Sequence, residues 1–308
     1  MIPDDYQDIV HRLKCFELLR GHEVTRFREP AASQDELVQR LREADCVVAV
    51  RERVAFPRAL LEQLPKLKLL ALVGRHSSVI DFGACKDLGI EVVHGTSASP
   101  ASPAELTLAL MLASRRNIAF ESERMKRGQR PATLAHRLRG STLGVFGLGT
   151  IGSLVAEAGA GLGMRILVFG RKNSLEKARQ AGYEAAASKA QLFEEADVLT
   201  LQMRLTADTR GSVTREDLGR MKPTALFVNT ARAELVQPGA LLESLNNGRP
   251  GYAALDVYEE EPVPPEHPLL AMPNVLCTPH LGWAEHDNFE LYFGECFEQI
   301  AAWAKSHW

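Results

Sequence analysis

Residues 147–152 read GLGTIG, directly after the β-forming run LGVF and directly before a helical pattern running from Ile151 to about Leu162. Each of Gly147, Gly149 and Gly152 has a physical task at that spacing: a tight turn, close approach of backbone to a bound group, and close packing of helix on strand. A bare run of such glycines is common. The strand–turn–helix context makes this one specific, and it commits the chain to a strand whose helix returns to a parallel neighbour.

The rest of the sequence alternates in the same way. Short apolar, β-branched runs are expected as strands at Cys46–Val50, Leu67–Val73 and Ile90–Val93, then at Ser141–Phe146, Arg165–Phe169, Val198–Leu201, Ala225–Val228, Ala253–Val257 and Val275–Thr278. Helical patterns run through Pro57–Leu64, Asp81–Asp87 and, as one long element, Ala104 to about Lys126. With 308 residues, the expected fold class is α/β, with two Rossmann-like, doubly wound parallel-sheet domains. The stretch GTSASPASPAE before the long helix is the expected boundary. Beyond Pro279, Phe289, Tyr292, Phe293, Cys296, Phe297 and Ile300 fall at helical spacing, which predicts a terminal helix whose aromatic face is packing rather than a cofactor box.

Composition narrows the partners. Lys and Arg number 36 against 39 Asp and Glu, so a net charge of −3 offers no basic field, and nucleic acid is disfavoured. The five cysteines lack CxxC spacing or a nearby His cluster, so neither a disulfide framework nor a metal site is expected. The start MIPDDYQDIV has no apolar run, and no stretch approaches the roughly 20 apolar residues of a membrane span. A cytoplasmic protein is expected.

The glycine loop predicts a dinucleotide site, with the backbone of Gly147, Leu148, Gly149, Thr150, Ile151 and Gly152 at the pyrophosphate and the helix N-terminus supplying unpaired N–H groups. An NAD-selective site usually carries an acid about 20 residues on, for the ribose 2′-hydroxyl. Here RILVF ends in Gly170, Arg171 and Lys172, and no acid occurs between Glu157 and Glu176. Two cations after a small residue suit a 2′-phosphate, so NADP is expected, with NAD open if the two are an ordinary solvated turn.

Four further groups stand at or just past later strands, where open α/β sheets place their ligands: Arg232 in VNTARAE, Asp256 and Glu261 in LDVYEEEP, and His280 in CTPHLG. With GLGTIG and MKPTALFVNTAR, in this order and spacing over nearly the whole length, these segments make the chain resemble the D-isomer-specific 2-hydroxyacid dehydrogenases. The resemblance implies a catalytic set of His280, Glu261 and Arg232. His280 would be the acid–base, since imidazole titrates near neutral pH. Glu261 would fix its tautomer, and Arg232 would hold a substrate carboxylate through its planar fork. Thr230, Ala231, Arg232, Asp256, His280 and Gly282 are expected at the cofactor. Val73, Gly74, Arg75, Arg232, His280 and Trp283 are expected at the substrate, with His76 a further candidate.

The resemblance also implies a substrate domain of residues 1–101 and 284–308, hence discontinuous, around a cofactor domain of 102–283. A homodimer supported by the long helix is implied as well. The chain departs from the family pattern in three places: a first strand expected to be truncated, replaced by Ile2 alone or cut by a misassigned start codon, Ala233 where a glycine is usual, and QMRL at 202–205 in place of HLPL. The expected activity is reduction of a small 2-keto acid, glyoxylate- or hydroxypyruvate-like, or oxidation of the D-2-hydroxy acid. Two alternatives stay open: a non-catalytic dinucleotide sensor of the same fold, and a dehydrogenase of formate or another small anion.

Overall fold

Apolar runs such as LLALV and TLGVF are buried at every residue, as strands covered on both faces must be. A computed structural model describes residues 1–307 apart from His76 and Ser78. The His76 expectation therefore lies outside the described residues. The strands are β1 (Cys46–Val50), β2 (Leu69–Val73), β3 (Glu91–Gly95), β4 (Thr142–Phe146), β5 (Arg165–Phe169), β6 (Glu184–Ala185), β7 (Val198–Leu201), β8 (Leu226–Asn229), β9 (Tyr252–Leu255) and β10 (Val275–Cys277). The helices are α1 (Gln34–Leu41), α2 (Arg58–Leu61), α3 (Phe82–Asp87), α4 (Ala101–Arg115), α5 (Ile118–Lys126), α6 (Thr150–Gly161), α7 (Lys172–Gln180), α8 (Lys189–Glu195), α9 (Arg215–Arg220), α10 (Ala240–Asn246), α11 (Pro268–Ala271) and α12 (His286–His307). They form two compact units, one of residues 1–99 with 285 to the C-terminal end, the other of residues 100–284.

In the first unit, β1, β2 and β3 pair in parallel in that order. Val47, Ala49, Leu70 and Leu72 pack with Leu41, Leu60, Leu61 and Ala84 from α1, α2 and α3. Helix α12 lies against β2 and β3, and its aromatic stripe from Phe289 to Phe297 is buried. Its approach needs Gly95, where a Cβ would stand 2.3 Å from the Tyr292 carbonyl oxygen and 2.7 Å from Cys296 Sγ. At the N-terminus Ile2 makes a single parallel bridge with Arg26, while Met1 offers its carbonyl to the Val48 N–H at 2.9 Å.

The second unit carries seven parallel strands in the order β10-β9-β8-β7-β4-β5-β6. Order reverses on either side of β4, so the loop after β4 sits at the topological switch point where such sheets bind ligands. Apolar side chains build a core on each face of the sheet. The two-residue β6 was not expected, because its Glu-Ala pair has no β-branched or aromatic residue.

One long helix over Ala104–Lys126 was expected, but two are present. Asn117 breaks them with a left-handed backbone (φ 52°, ψ 35°), a conformation asparagine tolerates better than most residues. Helix α4 also begins earlier, at Ala101, because Pro103 then falls in the first turn, where its missing N–H costs nothing. All five cysteines are free thiols. Among the described residues no helix is long and apolar enough to cross a membrane.

Candidate active site

The glycine loop behaves as its sequence requires. Gly147 has φ +99°, and a Cβ there would stand 2.7 Å from the Gln202 carbonyl oxygen. At Gly152 a Cβ would stand 2.3 Å from the Gly147 carbonyl oxygen, so only glycine lets the start of α6 lie on this turn. A Cβ at Gly149 would meet open space, and this residue caps α6 without any side-chain hydrogen bond. An uncapped helix start beside free space fits a dinucleotide phosphate.

The turn after β5 is built for a small residue. A Cβ on Gly170 would meet Ser174 Cβ at 3.0 Å, and Ser174 Oγ accepts the Leu148 N–H of the glycine loop at 3.2 Å. Arg171 caps α7 and is exposed, with no carboxylate in ion-pair range among the described residues. Lys172 has only a loose, 3.8 Å pair with Glu176.

Three loops of the second unit carry the catalytic candidates. After β8, Asn229 ties its own loop, accepting the Ala231 N–H at 3.1 Å and donating to the Arg232 carbonyl at 2.9 Å. Arg232 spends one N–H on the Ala231 carbonyl at 2.7 Å, and among the described residues its guanidinium pairs with no carboxylate. The next residue, Ala233, opens a short 3₁₀ turn, which alanine enters without strain. After β9, Glu261 accepts the Tyr258 N–H at 2.9 Å with one oxygen and contacts His280 Nδ1 at 2.6 Å with the other. Burial works against the Glu261 charge. The hydrogen bond and charge of His280, the Tyr258 N–H and the Arg232 cation outweigh it and hold the carboxyl below its ordinary pKa.

His280 follows β10 with a left-handed backbone, φ +53°. Asp256 pins this loop. Fully buried, it accepts Thr278 Oγ1 at 2.6 Å, the Leu281 N–H at 2.7 Å and the Gly282 N–H at 2.9 Å. Burial raises its pKa, against the opposing pull of those bonds and of His280. With both oxygens turned to its own loop, Asp256 supports His280 from below.

Sequence reasoning passed over one polar residue under the site, Thr107. Thr107 Oγ1 lies 2.7 Å from Thr230 Oγ1, and Gln202 Nε2 donates to Thr200 Oγ1 at 3.0 Å. A threonine inside a helix gives no signal until its partner is known. Arg204 is exposed, and Trp283 is buried. In the first unit Val73 is buried at the end of β2, Gly74 has φ +145° with its N–H given to the Gly95 carbonyl, and Arg75 is exposed. Asp5, Asp8 and His11 bring ligand-type atoms together, but Arg26 already pairs with both aspartates, at 2.5 and 2.9 Å.

Residues 108–282 match the NAD-binding domain of the D-isomer specific 2-hydroxyacid dehydrogenases. The chain belongs to that family. The chain is 40% identical over 252 residues to a D-3-phosphoglycerate dehydrogenase of Methanocaldococcus jannaschii, covering 81% of the chain but 48% of that longer relative. It thus spans about half the length of that protein. A glyoxylate reductase of Aeropyrum pernix is 37% identical over 262 residues, covering 82% of the chain and 77% of the relative. The solved structure of a phosphoglycerate oxidoreductase from Vibrio cholerae O395 superposes with TM-score 0.95 at 44% identity, covering 99% and 98% of the two chains. The family match fixes a nicotinamide dinucleotide as the kind of cofactor.

Proposed function

We propose that the chain reduces a small 2-keto acid, of the glyoxylate or hydroxypyruvate kind, to the D-2-hydroxy acid and runs the reverse oxidation. The observation that carries this reading is the 2.6 Å pair of His280 Nδ1 with Glu261, which leaves Nε2 for a substrate oxygen. When bound, the nicotinamide supplies or takes the hydride. His280 gives a proton to the carbonyl oxygen, or removes the hydroxyl proton in reverse. Glu261 holds the ring orientation and fixes its tautomer. Arg232, with its fork free of carboxylates, holds the substrate carboxylate in a planar pair. The acid–base pair favours a 2-hydroxy acid over formate, which has no hydroxyl to deprotonate.

For the cofactor, Gly147 to Gly152 would hold the pyrophosphate. The exposed Arg171, with no acid at the end of β5, favours NADP over NAD. By this reading residues 102–283 form the cofactor domain, and residues 1–101 with 284–308 form the substrate domain. Val73, Gly74 and Arg75 would then serve the substrate. Free thiols in all five cysteines agree with a cytoplasmic setting.

The test is oxidation of NADPH and NADH with glyoxylate, hydroxypyruvate, pyruvate and longer 2-keto acids. Turnover with at least one acid is expected, with higher kcat/KM for NADPH. Cofactor binding without any turnover would favour the sensor reading, and a tenfold preference for NADH would remove the NADP assignment.

A further inference from the structure

Helix α4 buries three polar side chains, Ser102, Thr107 and Arg115, each 7% exposed or less. A buried polar group is costly unless bonded, and apolar residues would pack a helix on a sheet more cheaply. Each of the three gives or accepts a hydrogen bond with a loop bordering the catalytic strands, although Arg115 Nε is left without a partner among the described residues. Thr107 Oγ1 has one proton, which it gives to the Pro103 carbonyl at 2.8 Å. Its 2.7 Å contact with Thr230 must therefore use the Thr230 hydroxyl as donor, two residues before Arg232. At the first turn Ser102 Oγ donates to the Gly282 carbonyl at 2.9 Å. Gly282 is then held at both backbone atoms, by Ser102 and by Asp256, two residues after His280. At the far end Arg115 Nη1 donates to the Thr224 carbonyl at 2.7 Å. Thr224 precedes β8 and Thr230 follows it, so α4 is fastened at both ends of one strand.

We propose that Ser102 and Thr107 are positioning residues: through Gly282 and Thr230, α4 sets the loops of His280 and Arg232 against each other. The proposal rests on the dehydrogenase reading, in which those two loops must converge on one substrate. Loss of fine placement, even without loss of fold, is enough to cost rate.

The two anchors have separable signatures. Thr107→Val keeps the shape and loses the hydroxyl, so KM for the keto acid should rise roughly five- to tenfold, with Thr107→Ser restoring it to within about twofold. Ser102→Ala should lower kcat by a similar factor at nearly unchanged KM. In the apoprotein, amide hydrogen exchange should quicken over residues 229–234 in the first variant and 279–283 in the second, each confined to its loop. Unchanged kinetics and exchange in both variants would overturn the proposal, as would a general quickening with equal losses in both parameters, the mark of plain destabilisation. If the wild-type chain turns over no 2-keto acid, the dehydrogenase reading fails, and the exchange pattern alone decides whether α4 braces the loops.

Discussion

His280 takes a backbone conformation that non-glycine residues rarely adopt and that costs on the order of 1–3 kcal/mol. Asp256 offsets that strain with three hydrogen bonds to the same loop, and Glu261 fixes the ring. Replacing His280 by Asn should therefore lower kcat by about 10²-fold or more with the melting temperature little changed; full activity in steady-state assays would remove its role. Glu261 keeps its charge to below the ordinary carboxylate range, so its support of His280 persists into mildly acid solution.

Asp4 is the opposite case at the same scale. Burial, against the pull of Arg53 and the Val50 N–H, pushes its pKa from the ordinary 3.8 to about 7. Between those values the folded protein keeps a proton that the unfolded chain has lost. Stability thus falls as pH rises from about 4 to about 7, by an amount on the order of 4 kcal/mol. Thermal melts from pH 4.5 to 8.5 should show Asp4→Asn gaining on the wild type as pH rises, and parallel curves would contradict this.

At the scale of elements, the glycines decide what can touch. Gly95 admits α12 to β3, so Gly95→Ala should force the helix outward and destabilise the protein by about 1–3 kcal/mol, read from the midpoint of urea unfolding. An unchanged midpoint would mean that the helix gives way freely. The periodicity of residues 289–300 was enough to place α12, and apolar runs placed nine of the ten strands among the described residues, because both signals are local. The break at Asn117 was not legible, since Arg116 and Asn117 do not forbid a helix.

At the scale of the molecule, α5 and the segment after it expose Ile118, Phe120, Met125 and Leu134, the last at 92%. Exposed apolar side chains favour association, and a homodimer through this region is expected. Light scattering across a range of concentrations should report twice the 33.9 kDa chain mass, with Leu134→Asp shifting it toward monomer. A wild-type monomer at every concentration would exclude the dimer.

By itself the sequence determined the α/β class and the place of the glycine loop, and it marked Arg232, Glu261 and His280 as candidates, since strand runs, turn glycines and motif order are properties of neighbours along the chain. Tertiary structure alone decided that Asp256 would be consumed in holding the loop of His280 and that Thr107 would find Thr230. Those pairings join residues 25 and 123 positions apart. Whether a hydroxyl or carboxylate supports a neighbour or faces a ligand depends on which partner the fold brings within hydrogen-bond reach, and no local pattern encodes that distance.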